Sequence, residues 1–417
     1  MNKNFTYVDL FAGASGLSEG FHKAGFIPVA HVERDTYACQ TIKTRTAYHY
    51  CSSNNLDDLY KEYYAGNINR EKFYSEIPFE KLDTVINEDI SHENFDRIIF
   101  QIKESGKRLN IKNIDLLIGG PPCQAYSIRG RKANESKKKS DQRIYYYKLY
   151  AKFLRELKPK IFVFENVPGL LSFEDGYVFD DLRKTLVKEG YILDFKILNA
   201  SDFGVLQERK RIVIIGWENE ISFSYPSFEQ IKFNATVNDL LNDLPALKPG
   251  SINPPLFYSA KSNSYLDRSE IRNGYKKVSL HNTRPHNKID LEIYKQAIEL
   301  WNTKHHRLNY SSLPKKLRTH KNIEGFLDRF KVVAGDKPYS HTLIAHISKD
   351  GHYYIHPDIK QCRSISVREA ARIQSFPDDY FFEGPRTSVF NQIGNAVPPL
   401  LSFALAKGIK KMLKNYD

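Results

Sequence analysis

The chain has 417 residues, 62 Lys+Arg against 49 Asp+Glu, and a formal net charge of +13. That length carries two or three domains and excludes a hormone-like peptide or a small stapled scaffold, while the positive excess favours a polyanion, nucleic acid before membrane. Four cysteines, at 39, 51, 123 and 362, form no Cys-x-x-Cys pair, and no apolar run reaches about 18 residues. Zinc fingers, disulfide frameworks, secretion leaders and membrane spans are therefore disfavoured, and a soluble cytoplasmic protein is expected.

Thr6 to Phe11 reads as a buried strand running into a glycine turn, Ala12 to Gly16, and then a helical pattern at Leu17, Phe21 and Ala24. Glycines let the backbone approach a ligand, and amides at a helix start offer donors to it. A second strand, Ile27 to Val32, ends in Glu33, about 20 residues after the turn, where a carboxylate accepts from both ribose hydroxyls of a nucleoside. The tyrosine-rich stretch from Cys39 to Leu82 predicts one or two surface helices, and Glu88, Asp89 and Ile90 follow at the end of another strand.

The apolar run Asp115 to Ile118 breaks into Gly119, Gly120, Pro121 and Pro122, a stiff loop with Cys123 at its tip. A single cysteine is often a small inert hydrophobe, but the residues after this one are polar and basic, which turns it toward a cleft. A free thiol is only about 3% thiolate at pH 7, so a nucleophilic Cys123 needs nearby positive charge, for which Arg129 and Arg131 are candidates, or a substrate protonated in concert. Lys132 to Ser140 is basic and aperiodic, a flap suited to a phosphate backbone or a plain solvated loop.

Tyr145 to Leu157 predicts a helix, and Ile161 to Pro168 a buried strand with the carboxylate of Glu165 at its C-terminal end, where ligands bind in open α/β sheets. Glu165 should stand near Cys123, in a dry setting that suits a proton donor. A helix at Phe179 to Lys188 and a strand at Ile192 to Leu198 precede Gln207 to Arg211 and the β-branched strand Ile212 to Gly216. Arg209 and Arg211 share parity, so both point to one face if that strand extends back.

From about Ser222 to Lys360 the periodic pattern gives way to mixed polar and basic sequence, with Pro245, Pro249, Pro254 and Pro255 marking a linker. Arg268, Arg272, Lys276, Lys277, Lys315, Lys316 and Arg318 offer donors to phosphates and base edges, although such runs are more often solvated faces. His341, His346, His352 and His356 match no zinc spacing, so no metal is expected. Ser366 to Glu369 has the form of a capping box opening a helix to Gln374, and Leu400 to Leu413 is amphipathic.

Taken in order, Asp9 to Gly13, Glu33, Pro122-Cys123-Gln124, Glu165 to Val167, Gln207-x-Arg209-x-Arg211 and Gln392 to Pro398 resemble the C5-cytosine DNA methyltransferases. The resemblance covers roughly the first 220 residues and the last 55. It implies an α/β, Rossmann-like S-adenosylmethionine-dependent domain over residues 1–221, a smaller irregular target-recognition domain with its bracing helix over 222–384, and a C-terminal segment, 385–417, that returns to the catalytic domain. It also implies a cytosine rotated out of double-stranded DNA: Cys123 attacks C6, Glu165 bonds N3 and the 4-amino group, and Arg211 holds O2 with Arg209 nearby. The base that removes the C5 proton stays open, water being one candidate.

For the cofactor, the resemblance implies that Phe11, Gly13 and Gly16 line the site, with Glu33 on the ribose, Asp89 on the adenine amine and Ile90 beside the ring. Pro122 lies below, and Asn395 and Ala396 close it as the last helix packs back on the N-terminal sheet. Gln124, Ser127, Arg129 and Arg131 would touch DNA. The sequence departs from the family at Ser15, where glycine is common, at Arg34, where an aromatic is common, and in the long interval from Glu33 to Asp89. A monomer on double-stranded DNA near the nucleoid is implied, with room for a cognate restriction endonuclease. The tRNA-acting branch carries a Cys-Phe-Thr tripeptide that this sequence lacks, and a silent DNA-binding regulator would have no chemical reason to keep Cys123, Glu165 and Arg211.

Overall fold

Seven strands build one sheet: β1 (Thr6–Leu10), β2 (Ile27–Glu33), β3 (Val85–Asn87), β4 (Leu116–Gly119), β5 (Ile161–Asn166), β6 (Tyr191–Asn199) and β7 (Lys210–Glu218). Their spatial order in the computed structural model is β3-β2-β1-β4-β5-β7-β6. All run parallel except β7, which lies antiparallel between β5 and β6. The structure describes residues 4–122, 126, 142–220, 223–320 and 322–415. Cys123, Gln124, Ser127, Arg129, Arg131 and the flap Lys132 to Ser140 lie outside the described residues.

Period-two alternation sorts the strands onto two helical layers. Val8, Leu10, Leu117, Phe162, Phe164, Ile212 and Ile214 face one core, covered by α6 (Phe95–Arg108), α7 (Tyr146–Leu157) and α8 (Tyr177–Lys188). Their neighbours Tyr7, Leu116, Ile118, Ile161, Val163, Val213 and Ile215 face the other, covered by α1 (Gly16–Lys23) and α13 (Pro399–Lys414). Near-continuous apolar runs in β4, β5 and β7 follow, because both faces are buried. The expected α/β sandwich is what forms.

The last helix does pack back on the first. A Cβ at Gly20 would stand 2.2 Å from the backbone N of Phe403, so glycine lets α1 and α13 touch along their backbones. Between β2 and β3 come α2 (Thr36–Ser53), α3 (Asp57–Ala65), α4 (Arg70–Ser75) and α5 (Phe79–Leu82), four helices where the tyrosine-rich stretch predicted one or two on the surface. Tyr60, Tyr63, Tyr64 and Phe73 form their common core.

Residues 223–360, where the periodic pattern lapses, hold few regular elements, and the predicted capped helix follows them. A two-stranded ribbon, β8 (Leu256–Phe257) with β9 (Lys277–Val278), and the helices α9 (Ser264–Arg268), α10 (Lys288–Lys304) and α11 (Val367–Ile373) stand among short 3-10 turns. Ser366 and Glu369 close a capping box on α11, each satisfying the other's backbone N–H. One core unites Ala14 and Leu206 with α11 and α12 (Arg386–Asn395), and a separate one gathers around Tyr294, Tyr310 and Phe330.

Candidate active site

The strand order reverses between β1 and β4, and ligands in open α/β sheets bind beyond the C-terminal ends of the strands at that point. A cavity of about 370 Å³ opens there. All nine residues expected to hold a cofactor line it: Phe11, Gly13, Gly16, Glu33, Asp89, Ile90, Pro122, Asn395 and Ala396. Glu165 and Arg211 line it too.

The turn after β1 needs an unusual backbone. Phe11, Gly13 and Ser15 have φ of 58°, 55° and 60°. For the serine this left-handed conformation costs about 1 kcal/mol, which is the physical reason a glycine is easier there. Gly16 is obligatory for a different reason: a Cβ would lie 2.3 Å from the carbonyl oxygen of Val397, so the C-terminal segment could not close against the turn.

Glu33 ends β2 with its two carboxylate oxygens accepting from Gly13 N and Asp35 N, each at 2.8 Å. Burial pushes its carboxyl above the usual range, and those two N–H groups oppose the shift. Glu33 lines the cavity, and each carboxylate oxygen has a further lone pair beyond these bonds. Asp89 is half exposed and pairs with Arg34 at 3.8 Å, while Ile90 is buried and offers an apolar edge. The long interval before Asp89 therefore does not displace it from the cavity: α2 packs on the sheet and α3 to α5 add a lobe beyond it. Arg34, in the place of the expected aromatic, also lines the wall.

The loop that leads to Cys123 is tied to the end of β5. Asn166 Nδ2 donates to the carbonyl of Pro121 at 3.2 Å, and a Cβ at Gly120 would meet Glu165 Oε2 at 2.8 Å, so glycine lets the loop pass against that carboxylate. On the far side of Cys123 the buried Tyr126 donates to the carbonyl of Ile144 and sets its ring 5.4 Å from that of Phe173.

Glu165 and Arg211 meet directly: Arg211 Nε lies 2.7 Å from Glu165 Oε1, with about a tenth of each side chain exposed (11% and 10%). The carboxyl expected in a dry setting thus has the Arg211 guanidinium beside it. Arg209 does not join them. Strand β7 begins only at Lys210, and the Arg209 guanidinium is fully buried, donating to the carbonyls of Leu343 (2.5 Å), Gly394 (3.2 Å) and Ala396 (2.9 Å). Equal parity does not carry its side chain to the cavity wall: the guanidinium is taken up by those carbonyls, and the Arg209 N–H donates to Asn199 Oδ1.

Asp9 and Tyr146 were given no role by the sequence. Asp9 is 1% exposed and lines the cavity, and its Oδ2 has no hydrogen-bond partner among the described residues. Burial, then Glu33, lifts its carboxyl well above the usual range. An orphaned buried carboxyl facing a ligand-sized space is what a bound polar group would satisfy, so the residues present fit a cofactor with hydrogen-bond donors. The Tyr146 ring lies 5.2 Å from that of Phe11, tilted by 42°, on the same wall; its place at a helix start is the only sequence signal it had.

The four histidines disperse: His341 bonds the carbonyl of Tyr353, His346 meets Arg329, His352 meets Tyr294, and His356 faces Glu369. Among the described residues no helix is long and apolar enough to cross a membrane.

The family described as C-5 cytosine-specific DNA methylase matches residues 5–72 and 85–411. A type II methyltransferase of Bacillus paralicheniformis, M.Bpa9945I, is 40% identical across 98% of this chain and 99% of its own length. Another, M1.HphI of Haemophilus parahaemolyticus, is 29% identical across 99% of this chain and 88% of its own. Among solved structures, a chain described as a DNA modification methyltransferase encoded within an E. coli prophage shares the fold at TM-score 0.66 and 24% identity, covering 99% of this chain and 100% of that one. The methyltransferase EhMeth of Entamoeba histolytica follows at TM-score 0.54 and 15% identity, with 99% of each chain covered. With Phe11, Glu33, Glu165, Arg211 and Asn395 on one cavity and this match over nearly its whole length, the chain belongs to the C-5 cytosine-specific DNA methylase family and is a C5-cytosine DNA methyltransferase.

Proposed function

We propose that this methyltransferase modifies C5 of a cytosine flipped out of a specific double-stranded DNA sequence, in the setting of a type II restriction-modification system. The observation that carries the reading is the Glu165–Arg211 pair standing on the wall of the same cavity that holds Glu33 and Ile90. S-adenosylmethionine, seated there, supplies an electrophilic methyl group. Glu33 binds its ribose, Asp89 and Ile90 its adenine, Phe11, Gly13, Gly16 and Pro122 shape its bed, and Asn395 and Ala396 close over it.

The chain's own residues then make the pyrimidine reactive. The Cys123 thiolate adds to C6, Glu165 hydrogen-bonds N3 and the 4-amino group so that N3 can take up the charge, and Arg211 holds O2. Electron density moves to C5, which takes the methyl group and leaves S-adenosylhomocysteine; a base, water being one candidate, then takes the C5 proton, and that bond's electron pair restores the ring double bond as the Cys123 thiolate departs from C6. Residues 222–384 read the sequence, Gln124, Ser127, Arg129 and Arg131 grip the DNA around the extruded base, and residues 1–221 with 385–417 carry the chemistry. The +13 charge suits a monomer on a polyanion. A restriction endonuclease of the same specificity is the partner this setting implies.

Sequencing plasmid DNA for 5-methylcytosine after expression identifies the target. A duplex of that sequence with 5-fluorocytosine at the target should then become covalently attached to wild-type protein in the presence of S-adenosylmethionine, because the C5 fluorine cannot leave as a proton does. Cys123→Ser should trap none. Unmethylated plasmid, or trapping by the serine variant at wild-type yield, overturns the reading.

A further inference from the structure

Residues 377–384 join the irregular region to α12, the helix that closes the cavity. On one side of this junction the Asp378 carboxylate bonds Arg372 at 2.6 Å and Tyr258 at 2.7 Å. On the other, Glu383 and Gln392 form a closed set of bonds with α2: Glu383 N donates to Thr41 Oγ1 (2.8 Å), Thr41 Oγ1 to Gln392 Oε1 (2.7 Å), and Gln392 Nε2 to the carbonyl of Glu383 (2.9 Å). Both ends of the Gln392 carboxamide are thereby fixed, and Gln392 lines the cavity.

Three tyrosines of α3 grip this junction from outside. Tyr60 and Tyr64 donate to the carbonyls of Asp379 (2.6 Å) and Asp378 (2.8 Å), and Tyr63 donates to Glu383 Oε1. Thr44 adds a second bond to Oε1 at 2.6 Å, and Arg70 of α4 stands 3.7 Å from Oε2. Glu383 and Tyr63 are both buried. A buried carboxylate keeps its place only while its donors are present.

We infer that Glu383 is a positioning residue for the cofactor, held by Tyr63 of the α3–α5 lobe and acting through Thr41 and Gln392 on the cavity wall. This rests on the S-adenosylmethionine reading above. The lobe between β2 and β3 is thereby part of the cofactor machinery and not only a surface decoration.

The test compares Tyr63→Phe, Glu383→Gln and the exposed control Lys61→Ala on the same helix. Calorimetry with S-adenosylhomocysteine and steady-state kinetics on the methylated sequence are the readouts. Tyr63→Phe and Glu383→Gln should weaken S-adenosylhomocysteine about tenfold and raise the cofactor KM in proportion. The KM for DNA, and kcat at saturating cofactor, should stay within about twofold, and Lys61→Ala should match wild type. Combining Tyr63→Phe with Gln392→Leu should add little beyond Gln392→Leu alone. Unchanged affinity in folded Tyr63→Phe and Glu383→Gln, a KM for DNA that rises as much as that for cofactor, or full additivity with Gln392→Leu overturns the inference. Wild-type protein that binds no S-adenosylhomocysteine overturns the cofactor reading, and this inference with it.

Discussion

Arg211 and Glu165 sit on neighbouring antiparallel strands, 2.7 Å apart, on the same face of the sheet. The register explains why: Glu165 pairs with Val213, and Arg211 lies two residues from that partner, so its side chain returns to the same side. A guanidinium beside the carboxylate fixes the orientation of Oε1. Arg211→Ala and Glu165→Gln should each lower turnover by about 100-fold or more, with S-adenosylhomocysteine affinity within about threefold of wild type. The double variant should fall far short of the product of the two losses, since one pair is being broken twice. Additive losses in single-turnover assays would show that the two act separately.

Arg209, two residues earlier, should fail differently. Its guanidinium holds the carbonyls of Leu343, Gly394 and Ala396, so it fastens the irregular region and the cavity-closing turn to the start of β7. Arg209→Ala removes this donor from the carbonyls of Leu343 and Gly394 and leaves Ala396 with Gln374 Nε2 alone, and should cost about 3 kcal/mol or more in denaturant titration. Arg209→Lys should recover little, because one ammonium cannot span three acceptors as a planar fork does. A variant as stable as wild type but slow in turnover would return Arg209 to the active site.

The two arginines also mark where sequence reading stops. The strand-turn-helix around Gly13, the acid at Glu33 and the carboxylate ending β5 are short-range patterns, fixed by periodicity and turn chemistry, and the structure carries them to one cavity. Arg209 could not be placed that way, since its partners lie 134 and 187 residues along the chain. Tyr63 meets Glu383 across 320 residues, which hid the purpose of the tyrosine-rich lobe. Asp9 was visible as part of a motif, but its isolation follows from which strands flank β1.

Glu33 gives the cofactor site a pH dependence. Burial raises its carboxyl above the ordinary range of about 4.3, so protonation begins at a higher pH than for an exposed glutamate. Ribose hydroxyls donate to the ionised form, and affinity for S-adenosylhomocysteine should therefore fall as pH drops through the raised value. Folding responds with the opposite sign: a raised carboxyl contributes less stability as pH rises through the window between its unfolded and folded values. In calorimetry from about pH 8 to about pH 5, Glu33→Gln should bind weakly throughout and lose most of this slope, with any remainder assigned to Asp9, which is shifted the same way.

Arg363 and Glu369 set the acid limit of the fold. The Arg363 fork reaches both carboxylate oxygens at 2.7 and 2.8 Å, and Ser366 N adds a third bond at 2.7 Å. Burial alone would push the Glu369 carboxyl up; the adjacent Arg363 charge outweighs it and holds the group well below the usual range. His356, 3.5 Å away, is kept down at about 4, mainly by burial, and is neutral at pH 7. A depressed carboxyl contributes stability that is present above its unfolded value, about 4.3, and is lost as pH falls toward the folded one. Arg363→Ala leaves a buried charge unpaired and should cost about 3–5 kcal/mol at pH 7, with a flatter decline of stability below about pH 4.5. Arg363→Met combined with Glu369→Leu removes both charges and should recover most of that loss. Urea midpoints at pH 7 and about pH 4 decide it: curves for wild type and Arg363→Ala that run parallel into acid would mean that this pair does not govern acid unfolding.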